Sequence, residues 1–308
     1  NVKVTGELRY KYMSKKDDAN DGQSFENDLR SRIWVTGQIN DDWSYTGMIE
    51  NTQDFYGESA NKGDEDTSFQ RAYVEGKIGG LNVTAGRYNA FFANGNIYDA
   101  RVDGAEVSYG DKVKVTGFAG KGTDAAGTDA ESNGTYAGGE LSANFNKLNV
   151  AAGYVNFTDI KATSAQHETD LDDAIWYVGA DYNFGDVTLS GMYLKGDASK
   201  NGEDVTDVNT DVNTDGWTAG LTYKGAEATE AGSWGLFANY YDLGGMTYIA
   251  HTTDANTFDN DGFKGYGVGA NYTFAKNIVG TVAYYDTENK LNSKVDDQRV
   301  WADLTFTF

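Results

Sequence analysis

Residues 298–308, QRVWADLTFTF, alternate without a break. Val300, Ala302, Leu304, Phe306 and Phe308 fall on one face; Arg299, Trp301, Asp303, Thr305 and Thr307 fall on the other. Period two is the signature of a β-strand, whose successive side chains point to opposite sides. The last residue, Phe308, belongs to the apolar face, and no polar tail follows it. A closed barrel asks this of its final strand, which must pair along its whole length with the first and leave no edge.

The other end has the same pattern. Val2, Val4, Gly6, Leu8, Tyr10 and Tyr12 oppose Lys3, Thr5, Glu7, Arg9 and Lys11. Further on, Ile33, Val35, Gly37 and Ile39 oppose Arg30, Arg32, Trp34, Thr36 and Gln38, and Ala72, Val74, Gly76 and Ile78 oppose Arg71, Tyr73, Glu75 and Lys77. Apolar residues on one side and charges on the other, strand after strand, suit a wall with lipid outside and water inside. Tight turns recur at Asn40-Asp41-Asp42, Gly79-Gly80, Gly110-Asp111, Asn146-Lys147, Gly185-Asp186 and Ala275-Lys276-Asn277, with a longer one over 225–232. Between them lie long connections near 14–25, 54–67, 89–101, 121–134, 158–173, 196–215, 242–262 and 287–297. This rhythm predicts an all-β fold: one 16-stranded antiparallel transmembrane β-barrel over residues 1–308, with seven short periplasmic turns and eight long extracellular loops. A soluble sandwich would also pair aromatics across strands, but it would not place Lys, Arg and Glu repeatedly opposite the apolar face.

Composition agrees. There are 38 Gly, no Pro and no Cys. A chain that is nearly all hydrogen-bonded ladder has no place for Pro, and disulfides and thiolate metal sites are excluded. Mean hydropathy is −0.58, and no run approaches the roughly 20 apolar residues of a membrane helix. Alternating barrel strands escape such averages. The 21 Tyr, 15 Phe and 6 Trp cluster at predicted strand ends, where rings sit at the headgroup level. Net charge is −22, which disfavours nucleic acid as a partner. No signal-peptide pattern stands at Asn1, so a mature or trimmed start is expected.

The terminal strand ending in Phe306 and Phe308 resembles the assembly signal of bacterial outer-membrane barrels. The architecture, with VTGELRYKY and RSRIWVTGQINDDWSYTGMIEN near the start, resembles the general porins. More narrowly it is similar to the barrel of the OmpM-type porins of diderm Firmicutes, which carry an S-layer-homology domain ahead of the barrel. That resemblance implies the bacterial outer membrane as location and a homotrimer. It implies lipid, lipopolysaccharide and the barrel-assembly machinery as partners, small hydrophilic solutes and ions as cargo, and no cofactor. Contact between subunits would use the outer faces of the first and last strands, with residues 54–67 as a latch.

In general porins the third long loop folds into the pore and faces basic residues. Here that loop, NAFFANGNIYDAR over 89–101, holds one acid, Asp99, beside Phe91, Phe92, Ile97 and Tyr98. It is expected to pack inward. The seven arginines fall on the first six predicted strands or the last. Arg9, Arg30, Arg32, Arg71 and Arg299 are on the polar face by parity, and a bend at Gly86 is expected to turn Arg87 inward. With Asp99 and Tyr98 these make the predicted constriction, since a row of cations facing acids sets a transverse field. Acids crowd the loops, among them Asp204, Asp207, Asp259, Asp261 and Asp296, and predict weak cation selectivity.

Asp211-x-Asn213-x-Asp215-Gly216 matches the first half of a calcium loop, but Thr222 stands where its bidentate Glu belongs; a solvated acidic loop is the stronger reading. The two histidines, His167 and His251, lie in different loops, so hydrolase arrangements lack a general base and no enzyme is expected. The leading function is a passive diffusion pore. The alternatives are a structural outer-membrane anchor with a plugged pore, and a substrate-specific channel.

Overall fold

The computed structural model describes residues 1–17, 22–55, 67–124, 133–163, 168–206 and 210–308. Among these, seventeen strands form one sheet: β1 (Val2–Asp17), β2 (Gly22–Gln38), β3 (Trp43–Asp54), β4 (Thr67–Ile78), β5 (Leu81–Phe92), β6 (Tyr98–Gly110), β7 (Val113–Asp124), β8 (Asn133–Phe145), β9 (Leu148–Thr163), β10 (Glu168–Asn183), β11 (Val187–Lys200), β12 (Glu203–Asp204), β13 (Asp215–Lys224), β14 (Trp234–Leu243), β15 (Phe263–Ala275), β16 (Ile278–Asn289) and β17 (Asp296–Thr307). The two-residue β12 pairs only with the end of β11. The other sixteen are the wall of an antiparallel barrel.

Closure is made by β1 and β17, in register from Glu7↔Thr307 to Asp17↔Asp297. The ladder runs on through Phe308, which exchanges two backbone hydrogen bonds with Gly6 at 2.7 and 3.0 Å. A Cβ on residue 6 would lie 2.2 Å from Cζ of Phe308. Glycine there lets the Phe308 ring lie flat across the seam, so the two chain ends cover each other's backbone.

The outer face is apolar and open, as at Val115 (58% exposed), Trp176 (59%) and Phe274 (64%). Aromatic pairs form two belts on it. Tyr223–Trp234 and Tyr272–Phe274 lie near the short turns, and Tyr154–Trp176 and Trp217–Tyr240 nearer the loops. Trp234 and Tyr240 are six residues apart on β14, about 20 Å along the strand, which suits the apolar band of an outer-membrane barrel.

Every short turn falls where the sequence places it. The loop ends do not. β1 reaches Asp17, β2 begins at Gly22, β9 reaches Thr163 and β10 begins at Glu168, each several residues beyond the predicted bounds. Past the membrane both faces of a hairpin meet water, so the apolar alternation fades while the backbone ladder continues. The predicted loop 89–101 shrinks as well: β5 and β6 run to Phe92 and Tyr98 and leave only residues 93–97 between them.

Candidate functional site

The β4–β5 ladder stops at Ala72↔Arg87, whereas β5 and β6 stay paired out to Phe92↔Tyr98. β6 in turn meets β7 only from Arg101 onward. Residues 88–100 are therefore a hairpin that has left both wall neighbours. The departure point is Gly86, with φ +126°, where a Cβ would lie 2.6 Å from the Ala72 carbonyl oxygen and 2.8 Å from Tyr73 Cα. Only glycine fits that bend.

One face of the hairpin is buried against side chains that point into the lumen from β7 to β11. Phe92 stacks on Phe118 at 4.3 Å between centroids and tilts against Tyr136 at 5.2 Å. Tyr98 lies on Phe157 at 5.9 Å. Ile97, Tyr98, Phe157 and Ile175 are 0% exposed. Tyr98 therefore anchors the hairpin from beneath and does not line open space. The other face carries Asn89 and Asp99. Asn89 donates to Asp99 at 2.7 Å and accepts from Arg71 of β4 at 2.8 Å, so Asp99 reaches the basic wall through one amide.

The arginines form a paired row. Arg30 meets Glu7 at 2.7 Å, Arg32 meets Glu50 at 2.6 Å, and Arg9 and Lys11 meet Asp28 at 3.7 and 2.8 Å. Arg9 and Lys11 also lie over the Trp301 ring at 5.5 and 5.4 Å. Arg299 is held by Asp297 at 2.7 Å. Arg87 stands apart: its guanidinium makes a two-bond pair with Asp103 at 2.7 and 2.8 Å. The row is thus charged but largely neutralised by its own wall.

A second segment inside the barrel escaped sequence reasoning. L7, residues 244–262, joins β14 to β15 and is tied to the tip of the hairpin. Ile249 and Ala250 N–H donate to the Ile97 carbonyl at 2.9 and 3.1 Å, Thr252 N–H to Gly95 at 2.9 Å, and Asp99 N–H to Ala250 at 2.7 Å. The Thr252 hydroxyl donates to the second Asp99 oxygen at 2.6 Å. Farther along, Arg299 donates to the Asp254 carbonyl at 3.2 Å and Asn256 to Asp297 at 3.2 Å. Ala255 packs with Met13, Ala283, Tyr285 and Trp301. Tyr248 braces L7 internally, donating to Thr257 at 2.6 Å and accepting from Gly262 at 3.2 Å.

His251 sits at the clasp. Its Nδ1 accepts from Thr253 N–H at 3.0 Å, which leaves Nε2 to donate to Asn96 at 3.1 Å. Tyr241, Tyr248 and Phe263 surround the ring edge-on. Burial lowers its pKa to about 3, so it is neutral. Burial raises the Asp254 carboxyl, opposed by Arg9, Lys11 and Arg299 nearby. The signal missed in the sequence is that L7 carries Met246, Tyr248, Ile249 and Phe258 beside its three acids, as apolar a set as that of the third loop.

The calcium half-motif forms the one-turn helix α1 (Asp211–Thr214) and the start of β13. Asn213 donates to Thr210 at 3.2 Å, and Asp215 is taken up by Lys195 at 2.8 Å and the Tyr193 hydroxyl at 2.8 Å. Among the described residues no group of three or more His, Cys, Asp or Glu is placed to hold a metal ion. His167 and most of the latch segment, residues 56–66, lie outside the described residues.

No family model and no curated protein matches the chain. Solved structures do. OmpT, an outer membrane protein of Vibrio cholerae in its trimer form, is 17% identical over 100% of this chain and 99% of its own, with a TM-score of 0.61. A loop L8 deletion mutant of the same protein gives 0.59 at 17% identity, over 100% of this chain and 99% of its own. A triple mutant of the Rhodopseudomonas blastica porin gives 0.59 at 16% identity, with both chains covered in full. The chain has the closed sixteen-stranded barrel fold of these outer-membrane proteins.

Proposed function

We propose that this chain is an outer-membrane porin, a passive diffusion channel for ions and small hydrophilic solutes, and not an enzyme. The observation that carries the reading is the placement of the 88–100 hairpin. It is docked on one half of the lumen wall, with Asp99 turned toward the other half, where Arg9, Arg30, Arg32 and Arg71 stand. Sixteen strands enclose more space than their own side chains fill, and an infolded hairpin narrows that space without closing it. We read the hairpin as the constriction. Because Glu7, Asp28 and Glu50 already neutralise much of the arginine row, the net acidity of the chain decides the sign, and the pore is weakly cation-selective. Location in the bacterial outer membrane, a homotrimer, lipopolysaccharide contact and delivery by the barrel-assembly machinery belong to the same proposal, as does the narrower likeness to OmpM-type porins.

A second reading, a structural anchor with a closed lumen, is favoured by L7, which occupies space that an open pore would leave free. Conductance of the purified protein in a planar bilayer separates the two. Discrete open steps with a modest cation-selective reversal potential support the channel. Folded protein that gives no steps supports the anchor.

A further inference from the structure

We infer that L7 is the second blade of the constriction and that Asp254 supplies, with Asp99, the acidic side of its field. The inference rests on the channel reading and deepens it.

Four backbone hydrogen bonds join L7 to the hairpin tip, so the two segments move as one piece. The connections then run in sequence across the lumen. At one end Arg71 of β4 holds Asn89, Asn89 holds Asp99, and Asp99 accepts from Thr252 of L7. At the other end L7 is fixed at Asp254 and Asn256 to Arg299 and Asp297 of β17, and at Ala255 to Met13 of β1. The hairpin covers the lumen face of β7 to β11, and L7 covers the span from there to β17. Among the described residues, the stretch of wall left uncovered is β1 to β4. That stretch carries Arg9, Lys11, Arg30 and Arg32 with their paired acids, and Arg71 bound to Asn89.

The open path is therefore an eyelet between the basic row and the edge of the joined segments. The edge presents Asp99, Thr252 and Asp254. Thr252 and Asp254 keep solvent-exposed surface, while the lumen around L7 still desolvates the Asp254 carboxyl, and Arg9, Lys11 and Arg299 are the cations that act on it. Open space lies against the joined segments on both sides. One region of about 490 Å³ is bounded by Ala93 and Asn94 of the hairpin tip and by Lys114, Glu140 and Asp181. Another of about 430 Å³ is bounded by Asn256, Asp297 and Arg299 with Lys15 and Gln23. The third loop brings one acid, so a field strong enough to order water across the eyelet needs the second acid that L7 brings. Solutes that pass are small cations and compact polar molecules; apolar solutes meet the ordered water and are repelled.

The test uses single channels of the full chain. A unit charge about 4 Å from a passing ion is worth about a factor of five in water. Asp254→Asn should therefore lower the cation-to-anion permeability ratio by up to about fivefold, and Asp254→Lys further, while Asp41→Lys in a short turn leaves it unchanged. A negatively charged thiol reagent should cut the unitary conductance of Thr252→Cys. A variant with residues 246–258 replaced by a short Gly-Ser linker should conduct several-fold more than the parent. Open steps in the parent that are indifferent to both Asp254 changes and to the Thr252 reagent overturn the inference and leave the channel reading standing. Steps that appear only in the shortened variant keep L7 as a lumen element and overturn the diffusion-pore reading. Silence in both overturns both.

Discussion

Replacing Phe92 by Ala removes the ring on which the inner hairpin rests. Phe92 is 4% exposed and touches three other rings, Phe118, Tyr136 and Tyr98, at centroid distances of 4.3, 5.2 and 5.8 Å. A buried Phe→Ala change costs about 3–5 kcal/mol, and a stacked pair adds about 0.5–1.5 kcal/mol beyond its area. At about 1.4 kcal/mol per decade, the ratio of docked to undocked hairpin falls by at least about 100-fold. The loss should be local, because the ladder that holds β4 to β5 ends at Arg87 and does not include Phe92. The assay is limited proteolysis at residues 93–97, read beside urea unfolding of the whole barrel. Cleavage should quicken by about 100-fold or more, and single-channel current should become noisier, while the unfolding midpoint moves far less. Unchanged cleavage and quiet current in a folded variant would refute the claim that this ring seats the hairpin.

Further predictions concern the seam, the row and the clasp. Gly6→Val places side-chain atoms where the Phe308 ring lies; the overpacking should cost about 1–3 kcal/mol, seen as a lower urea midpoint and a smaller heat-modifiable folded fraction, with Gly6→Ala milder. Asp28→Asn leaves Arg9 and Lys11 without their shared carboxylate. The permeability ratio should move toward anions by up to about fivefold, read as a reversal potential. His251 has a docked pKa of about 3 against 6.5 when free, so docking of L7 is fully supported above pH 6.5. It should lose about 1.4 kcal/mol per unit as pH falls from there toward 3. Burial raises the Asp254 and Asp259 carboxyls, and these act in the opposite sense as they take up protons. Current noise should rise between pH 6 and 4 in the parent, and this acid response should shrink in His251→Gln.

The wall was legible in the sequence because period-two alternation reports which face meets lipid, and the Gly-, Asn- and Asp-containing turns on the short side leave little freedom for register. The loop ends were not. Ser14 to Asp17 and Gly22 to Glu26 pair as strand although Phe25 is their one apolar side chain and no alternation is left to read, since a backbone ladder in water needs no apolar side. The third loop could be singled out by its shortage of acids, and Phe92, Ile97 and Tyr98 do lie buried. Tyr98 shows the limit of that reading, because an aromatic in such a loop can seat it as well as line the path. L7 was hidden by Asp254, Asp259 and Asp261, which made it look like the other acidic loops. Its apolar residues find partners only through long-range contacts with the hairpin tip and with β1, β16 and β17, and no local pattern records those. The pairing of Arg87 with Asp103 likewise depends on where the hairpin leaves the wall.

The most direct test of the central claim is conductance of the purified, folded chain in a planar bilayer under a tenfold KCl gradient. The account predicts discrete open steps, closing in threes for a trimer, with a modest reversal potential of cation-selective sign. Folded protein that gives no open steps would contradict it.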